Sequence, residues 1–263
     1  MSRILEHFNA LKSKNRVALA PYIMAGYPDL ATSFSLMKAA VDAGADLIEL
    51  GMPFSDPLAD GATVQKAGQV ALKNPFSLRQ LLMEFKTRGQ SLGIPVVIMS
   101  YYNPVYQLGL ERTSQLAAEA GIAGFIVPDL PLEESGPFQN QLITHGIDLV
   151  PLVAPTSSPE RIREIDSKTT GMLYYVSRIG TTGAQANLDP QLFQSLREFR
   201  QLVRHPYVVG FGISTPEHAQ ALKDYSDGIV LASALIDRLE KAGPDRYESV
   251  VQDFLAPISQ ILG

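Results

Sequence analysis

The chain has 263 residues, 46% hydrophobic and 19% charged, with a formal net charge of −5 and no basic block, so nucleic acid is not expected as a partner. It contains no cysteine, which excludes disulfides and thiolate metal sites, and its four histidines (His7, His145, His205 and His218) are too scattered to suggest a metal cluster, so no metal is expected. No run approaches membrane length and the amino-terminal stretch lacks a signal-peptide apolar core, so a cytoplasmic protein is expected, or one of a plastid or other organelle stroma if the chain is eukaryotic and processed.

Residues 2–12 place Ile4, Leu5, Phe8 and Leu11 on one helical face and predict a short amphipathic lid helix. Residues 17–24 predict an apolar strand, broken by Pro21 and ended by Gly26. Residues 30–41 predict a helix with Phe34, Met37 and Val41 on one side, closed by Ala43-Gly44.

Next comes DLIELGMPFSDPLADG, residues 46–61. Leu47, Ile48 and Leu50 surround Glu49 and read as a buried strand. An ionised carboxylate inside a strand costs several kcal/mol unless paired. Glu49 is therefore expected at the strand's carboxyl end, facing a cavity. A loop stiffened by Pro53 and Pro57 then carries Ser55, Asp56 and Asp60. Asp60 could fold back toward Glu49 to make an acid–base pair, or it could N-cap the next helix. Asp56, before Pro57, reads as a turn residue or a partner contact.

A repeat follows. Gly44, Gly93, Gly121 and Gly146 each end a helical stretch and each precede an apolar strand, at 46–50, 95–99, 123–127 and 148–153. The later spacings fit one β-plus-α unit, and the first leaves room for an additional helix, supplied by 62–72 and 78–91. Further strands are predicted at 172–176, 207–211 and 227–231, with closing helices near 235–241 and 247–261. Eight strands alternating with helices imply parallel pairing and right-handed crossovers. The expected fold is an α/β (β/α)8 TIM barrel formed by residues 1–263 as a single domain, with an extra N-terminal helix and additional helices after strands two and eight. No GxGxxG opens a helix, which argues against a dinucleotide site. Active sites of such barrels lie at the carboxyl ends of the strands, a rule that gathers Glu49, Asp60, Tyr101, Asn103, Asp129, Tyr174 and the loop 177–187 on one face.

The last loops are glycine-rich: 180–183 after strand six, 210–214 after strand seven, and Ala232-Ser233 after strand eight. With no lysine nearby, they predict a phosphate site built on amide N–H groups and hydroxyls, Ser233 opening a short helix. Each glycine alone could simply make a tight turn. The loop 177–187 reads as a lid with Thr182 reaching inward. One of Tyr174 and Tyr175 must face the barrel interior, as core or to orient a carboxylate.

LIELGMPFSDPLADG, GFIVPDLPLEES, YYVSRIGTTGA and GFGIS together resemble the tryptophan synthase α-subunit family, nearly end to end. The resemblance implies retro-aldol cleavage of indole-3-glycerol phosphate to indole and glyceraldehyde 3-phosphate. It implies Glu49 as the acid–base carboxylate, Asp60 on the indole N–H, Tyr174 and Thr182 in support, and Gly183, Gly212 and Ser233 on the phosphate. It also implies Tyr22 and Ile126 in the indole pocket. Pro53, Asp56 and Asn103 are the implied contacts with a tryptophan synthase β subunit in an α2β2 tetramer. No cofactor is expected in this chain, and pyridoxal phosphate is assigned to that partner. Ala232 stands where many members carry glycine and Thr181 where valine is more usual, and neither change removes a reacting group. Alternatives are a stand-alone lyase releasing free indole, a non-catalytic activating subunit, and another phosphate-binding barrel such as a sugar-phosphate isomerase or aldolase. No predicted strand carries the lysine that a Schiff-base aldolase needs.

Overall fold

The computed structural model describes residues 2–176, 190–210 and 212–263. Among these residues nine strands are formed: β1 (Ala18–Met24), β2 (Ile48–Gly51), β3 (Val96–Met99), β4 (Gly124–Ile126), β5 (Asp148–Leu149), β6 (Leu152–Val153), β7 (Leu173–Val176), β8 (Tyr207–Gly210) and β9 (Gly228–Leu231). They run parallel in the order β5-β4-β3-β2-β1-β9-β8-β7-β6.

The two outer strands, β5 and β6, are halves of the one strand expected over 148–153, parted at Val150 and Pro151. Proline has no N–H to give a ladder. Val150 still donates its N–H to the Phe125 carbonyl of β4 at 2.8 Å, and the Pro151 carbonyl accepts from Tyr174 of β7 at 3.0 Å. One short segment thus occupies both edges of the sheet, which closes as a (β/α)8 barrel. Pro21, expected to break the first strand, does not. Residues Ala18 to Pro21 pair with β9 and Tyr22 to Met24 with β2, so its missing N–H falls where one ladder gives way to the other.

Helices Ala62–Ala71 and Leu78–Arg88 follow β2, and Ser233–Ala242 and Tyr247–Leu262 follow β9, as the spacing requires. An unexpected short helix, Tyr102–Leu108, precedes Leu110–Ala120 after β3. The repeat has a backbone cause. Gly44, Gly93, Gly121 and Gly146 have φ of 90°, 71°, 77° and 68°, left-handed values that let the chain leave a helix and turn into a strand.

The amino-terminal helix Arg3–Ser13 buries Ile4, Phe8 and Leu11, but not as a lid over the active face. Ser2 Oγ donates to Asp148 at 2.5 Å, and Arg3 donates to the carbonyls of Gly121 and Ile122. Those residues enter β5 and β4, so the helix seals the amino-terminal mouth. The same end is tied by Arg16, whose Nε meets Asp46 at 2.7 Å while its terminal nitrogens donate to the carbonyls of Gly44, Ser259 and Gly263. Asp46 also accepts the Leu19 N–H at 3.0 Å. Removing Arg16 would leave a mostly buried carboxylate without its cation. Arg16→Met is expected to lower the unfolding free energy by about 3 kcal/mol, read as a fall in the urea midpoint.

Candidate active site

All four residues of β2 are buried, and Glu49 is only 3% exposed. Its register neighbours are Tyr22 of β1 and Val97 of β3. Burial, with the Asp60 charge adding to it, pushes the Glu49 carboxyl up to about 8, and a hydrogen bond from the Tyr174 hydroxyl opposes that rise. Glu49 Oε2 has no hydrogen-bond partner among the described residues. A carboxyl in this state holds its proton at neutral pH and can release it to a bound molecule.

Asp60 does not cap the helix after it. Gly61 is the N-cap of Ala62–Ala71, and no side chain bonds there. The Asp60 carboxyl instead accepts from the Tyr101 hydroxyl, which lowers its pKa, but burial outweighs this and raises it to about 6. The two carboxyls thus differ in environment: one is neutral and one ionised near pH 7, the condition for two separate roles.

Strand alternation is resolved in favour of Tyr174. Tyr175 packs outward on Phe199, with ring centroids 4.9 Å apart, while Tyr174 reaches Glu49. Two glycines make room for the inward tyrosines. A Cβ on Gly210 would lie 2.1 Å from the Tyr174 hydroxyl, and one on Gly51 would lie 1.9 Å from the Tyr22 hydroxyl. Tyr22 is buried, and its hydroxyl is raised well above its ordinary value by burial and by the charges of Asp60 and Glu49. Ile126 is buried at the end of β4.

Tyr101 was not singled out beyond its place on the expected face, yet it organises the Asp60 loop. Its hydroxyl accepts the Ala59 N–H at 2.8 Å, and its ring stacks on Phe54 at 4.9 Å. No spacing signal links a tyrosine after β3 to a loop after β2, so only its aromatic character could have drawn notice.

Ser233 begins the helix Ser233–Ala242, as expected, and Gly212 has φ of 74°. They follow the neighbouring strands β9 and β8, at one end of the barrel. Thr182 and Gly183, with Thr181 and the rest of the expected lid, lie outside the described residues. Of the expected partner contacts, Asp56 and Asn103 are exposed but Pro53 is buried. Pro53 lines a cavity of about 460 Å³ with Met52, Phe54, Pro104 and Leu108, so it supports the surface from below. The large apolar side chains that reach out from the same two segments are Leu58 at 84% and Tyr106 at 66% exposure. Among the described residues, no group of three or more His, Cys, Asp or Glu could hold a metal, and no helix is long and apolar enough to cross a membrane.

Because the Tyr174 hydrogen bond favours ionised Glu49, its loss must raise the Glu49 pKa further. Tyr174→Phe is expected to move the Glu49 titration above about 8, observed by carbon NMR of the labelled carboxyl. An unmoved titration would remove Tyr174 from the site.

Residues 8–260 match the family described as tryptophan synthase alpha chain. The tryptophan synthase alpha chain of Chloroflexus aurantiacus is 43% identical over 246 residues, covering 93% of this chain and 92% of that one. That of Aquifex aeolicus is 44% identical over 252 residues, 95% of each. Among solved structures, tryptophan synthase subunit alpha from Legionella pneumophila superposes with a TM-score of 0.91 at 34% identity, covering 100% of this chain and 98% of that one. A Mycobacterium tuberculosis tryptophan synthase chain gives 0.89 at 31% identity, covering 99% and 98%.

Proposed function

The chain belongs to the tryptophan synthase alpha chain family and has its lyase activity, the cleavage of indole-3-glycerol phosphate in tryptophan biosynthesis, and from that premise we propose that Glu49 and Asp60 carry out the chemistry. The observation that carries the proposal is the placement of Glu49, buried in β2 with Oε2 unpartnered among the described residues, close enough to Asp60 for that carboxyl's charge to raise its pKa further.

Cleaving the bond between indole C3 and the glycerol side chain requires C3 to be protonated and the adjacent hydroxyl to be deprotonated. Glu49 gives its proton to C3. Positive charge then spreads to the ring nitrogen, where the Asp60 anion stabilises it. As the carbon–carbon bond breaks, its electron pair returns to the ring. The hydroxyl becomes the aldehyde of glyceraldehyde 3-phosphate and hands its proton to the Glu49 carboxylate. The acid is restored, and no external proton is consumed. Tyr174 holds Glu49 through this exchange, and Thr182 helps to position Asp60. Tyr22 and Ile126 lie against the indole, and Gly183, Gly212 and Ser233 bind the phosphate.

The family needs no cofactor of its own and implies a β subunit as partner. We place pyridoxal phosphate in that subunit and infer an α2β2 tetramer. Asp56 and Asn103 would meet the partner, with Leu58 and Tyr106 adding apolar area beside them. A single domain over all 263 residues is supported by one continuous core running from Ile4 to Leu262.

The chain has no tryptophan, so released indole can be followed by fluorescence against little background. Turnover should be bell-shaped in pH, rising as Asp60 ionises near about 6 and falling as Glu49 ionises near about 8. Release should be slow alone and much faster with the partner. Rapid release without it would favour a stand-alone lyase, and none under either condition would leave an activating subunit.

Glu49→Gln should lower turnover by about 10²–10⁴-fold while leaving phosphate affinity nearly unchanged. It should also stabilise the fold in alkali. The folded pKa of Glu49 lies above its ordinary 4.5, so between that value and about 8 the native state keeps a proton that the unfolded chain releases. Native stability therefore falls as pH rises through this window. At pH 9 the variant should be more stable than the parent by roughly 2–4 kcal/mol, measured by urea unfolding.

A further inference from the structure

We propose that Gln65 is a positioning residue for Asp60, gripping the loop that carries it by the two carbonyls on either side of that loop's exposed tip. The inference rests on the assignment of Asp60 made above. Gln65 stands in the first turn of the helix Ala62–Ala71, its own N–H donating to the Gly61 carbonyl at 2.9 Å, so the helix fixes its backbone. Its half-buried side-chain Nε2 donates to the Asp60 carbonyl at 2.9 Å and to the Pro57 carbonyl at 3.3 Å. A primary amide has two such hydrogens, and both are used on one short loop.

The opposite side of the loop is held by Tyr101, which takes the Ala59 N–H and touches the Asp60 carboxyl. Inside the loop the Asp60 N–H donates to the same Pro57 carbonyl at 3.1 Å, and the Leu58 N–H to Asp56 at 3.0 Å. Between the two carbonyls that Gln65 holds lies Leu58, 84% exposed. Tyr101 thus contacts the Asp60 side chain, and Gln65 contacts only its main chain. The next residue, Lys66, pairs with Glu240 on the helix that begins at Ser233. An anion that stabilises developing charge must be placed beforehand, and a misplacement of about 1 Å can cost up to about 10²-fold. Glutamate has the same shape but no donor when ionised, and methionine has the same length and no donor at all.

The test uses the full-length chain with Gln65→Met and Gln65→Glu. Steady-state cleavage of indole-3-glycerol phosphate, amide hydrogen exchange at Ala59 and Asp60, and carbon NMR titration of the Asp60 carboxyl are measured together. In both variants kcat should fall about tenfold with KM changed less than about twofold. Exchange at Ala59 and Asp60 should quicken while the barrel strands stay protected, and the Asp60 titration should move. Unchanged kcat and unchanged local exchange would overturn the proposal. So would a loss of activity accompanied by faster exchange throughout the barrel in both variants, which would make Gln65 an ordinary stability element. If the parent chain cleaves no substrate but the Asp60 exchange and titration still respond to the variants, the positioning role stands and the functional assignment of Asp60 falls.

Discussion

A carboxyl group buried to 3% exposure in a parallel strand is the constraint on which the rest of the site depends. Burial disfavours the charged form of Glu49 and so raises its pKa. This effect is the largest, the Asp60 charge adds to the rise, and the Tyr174 hydroxyl opposes it by favouring the ionised form. Tyr174 and Tyr22 pack into the same barrel mouth, where side chains at Gly210 and Gly51 would collide with their hydroxyls. Gly210 thus makes room for the hydroxyl that bonds Glu49, and Gly51 for the hydroxyl of Tyr22.

Asp60 obeys a different logic. Its carboxyl comes from a loop, so its position has to be built by bonds to neighbouring elements. Tyr101 supplies them from the end of β3 and Gln65 from the following helix, with Phe54 stacked on the Tyr101 ring. Strand-borne Glu49 is fixed by the sheet, and loop-borne Asp60 by side-chain contacts. The loop also exposes Leu58 between two held carbonyls, so pressure from a docked subunit would be felt close to the carboxylate.

The far end of the barrel carries a dense network of polar contacts. The amino-terminal helix plugs that mouth, and Arg16 ties the β1–β2 corner to the last helix through Asp46, Ser259 and Gly263. The buried carboxylates there, Asp46 and Asp148, are matched by partners, although His7 Nε2 is not, and Glu49 at the active end also keeps an oxygen without one among the described residues. Active sites commonly concentrate such unmet polar groups, and the stability they cost is supplied elsewhere in the fold.

The repeat of glycine-ended helices and apolar strands was legible in the sequence because a left-handed helix end requires glycine at regular intervals, and all four glycines adopt that backbone. The burial of Glu49 in a strand was legible because Leu47, Ile48 and Leu50 flank it, although it lies second of the four residues of β2 and not at the strand's carboxyl end. Proline was misread, since its effect depends on which ladder needs the N–H. Pro21 sits where pairing changes sides and does no harm, while Pro151 parts a strand that was expected to be whole. The amino-terminal helix was recognisable from its apolar face, but periodicity does not say which mouth that face covers. The side chains that hold Asp60, the burial of Pro53, and the choice of Tyr174 over Tyr175 were decided only by the fold. Each depends on contacts between distant segments, and local sequence determines periodicity and backbone preference but not which side chains meet across a barrel.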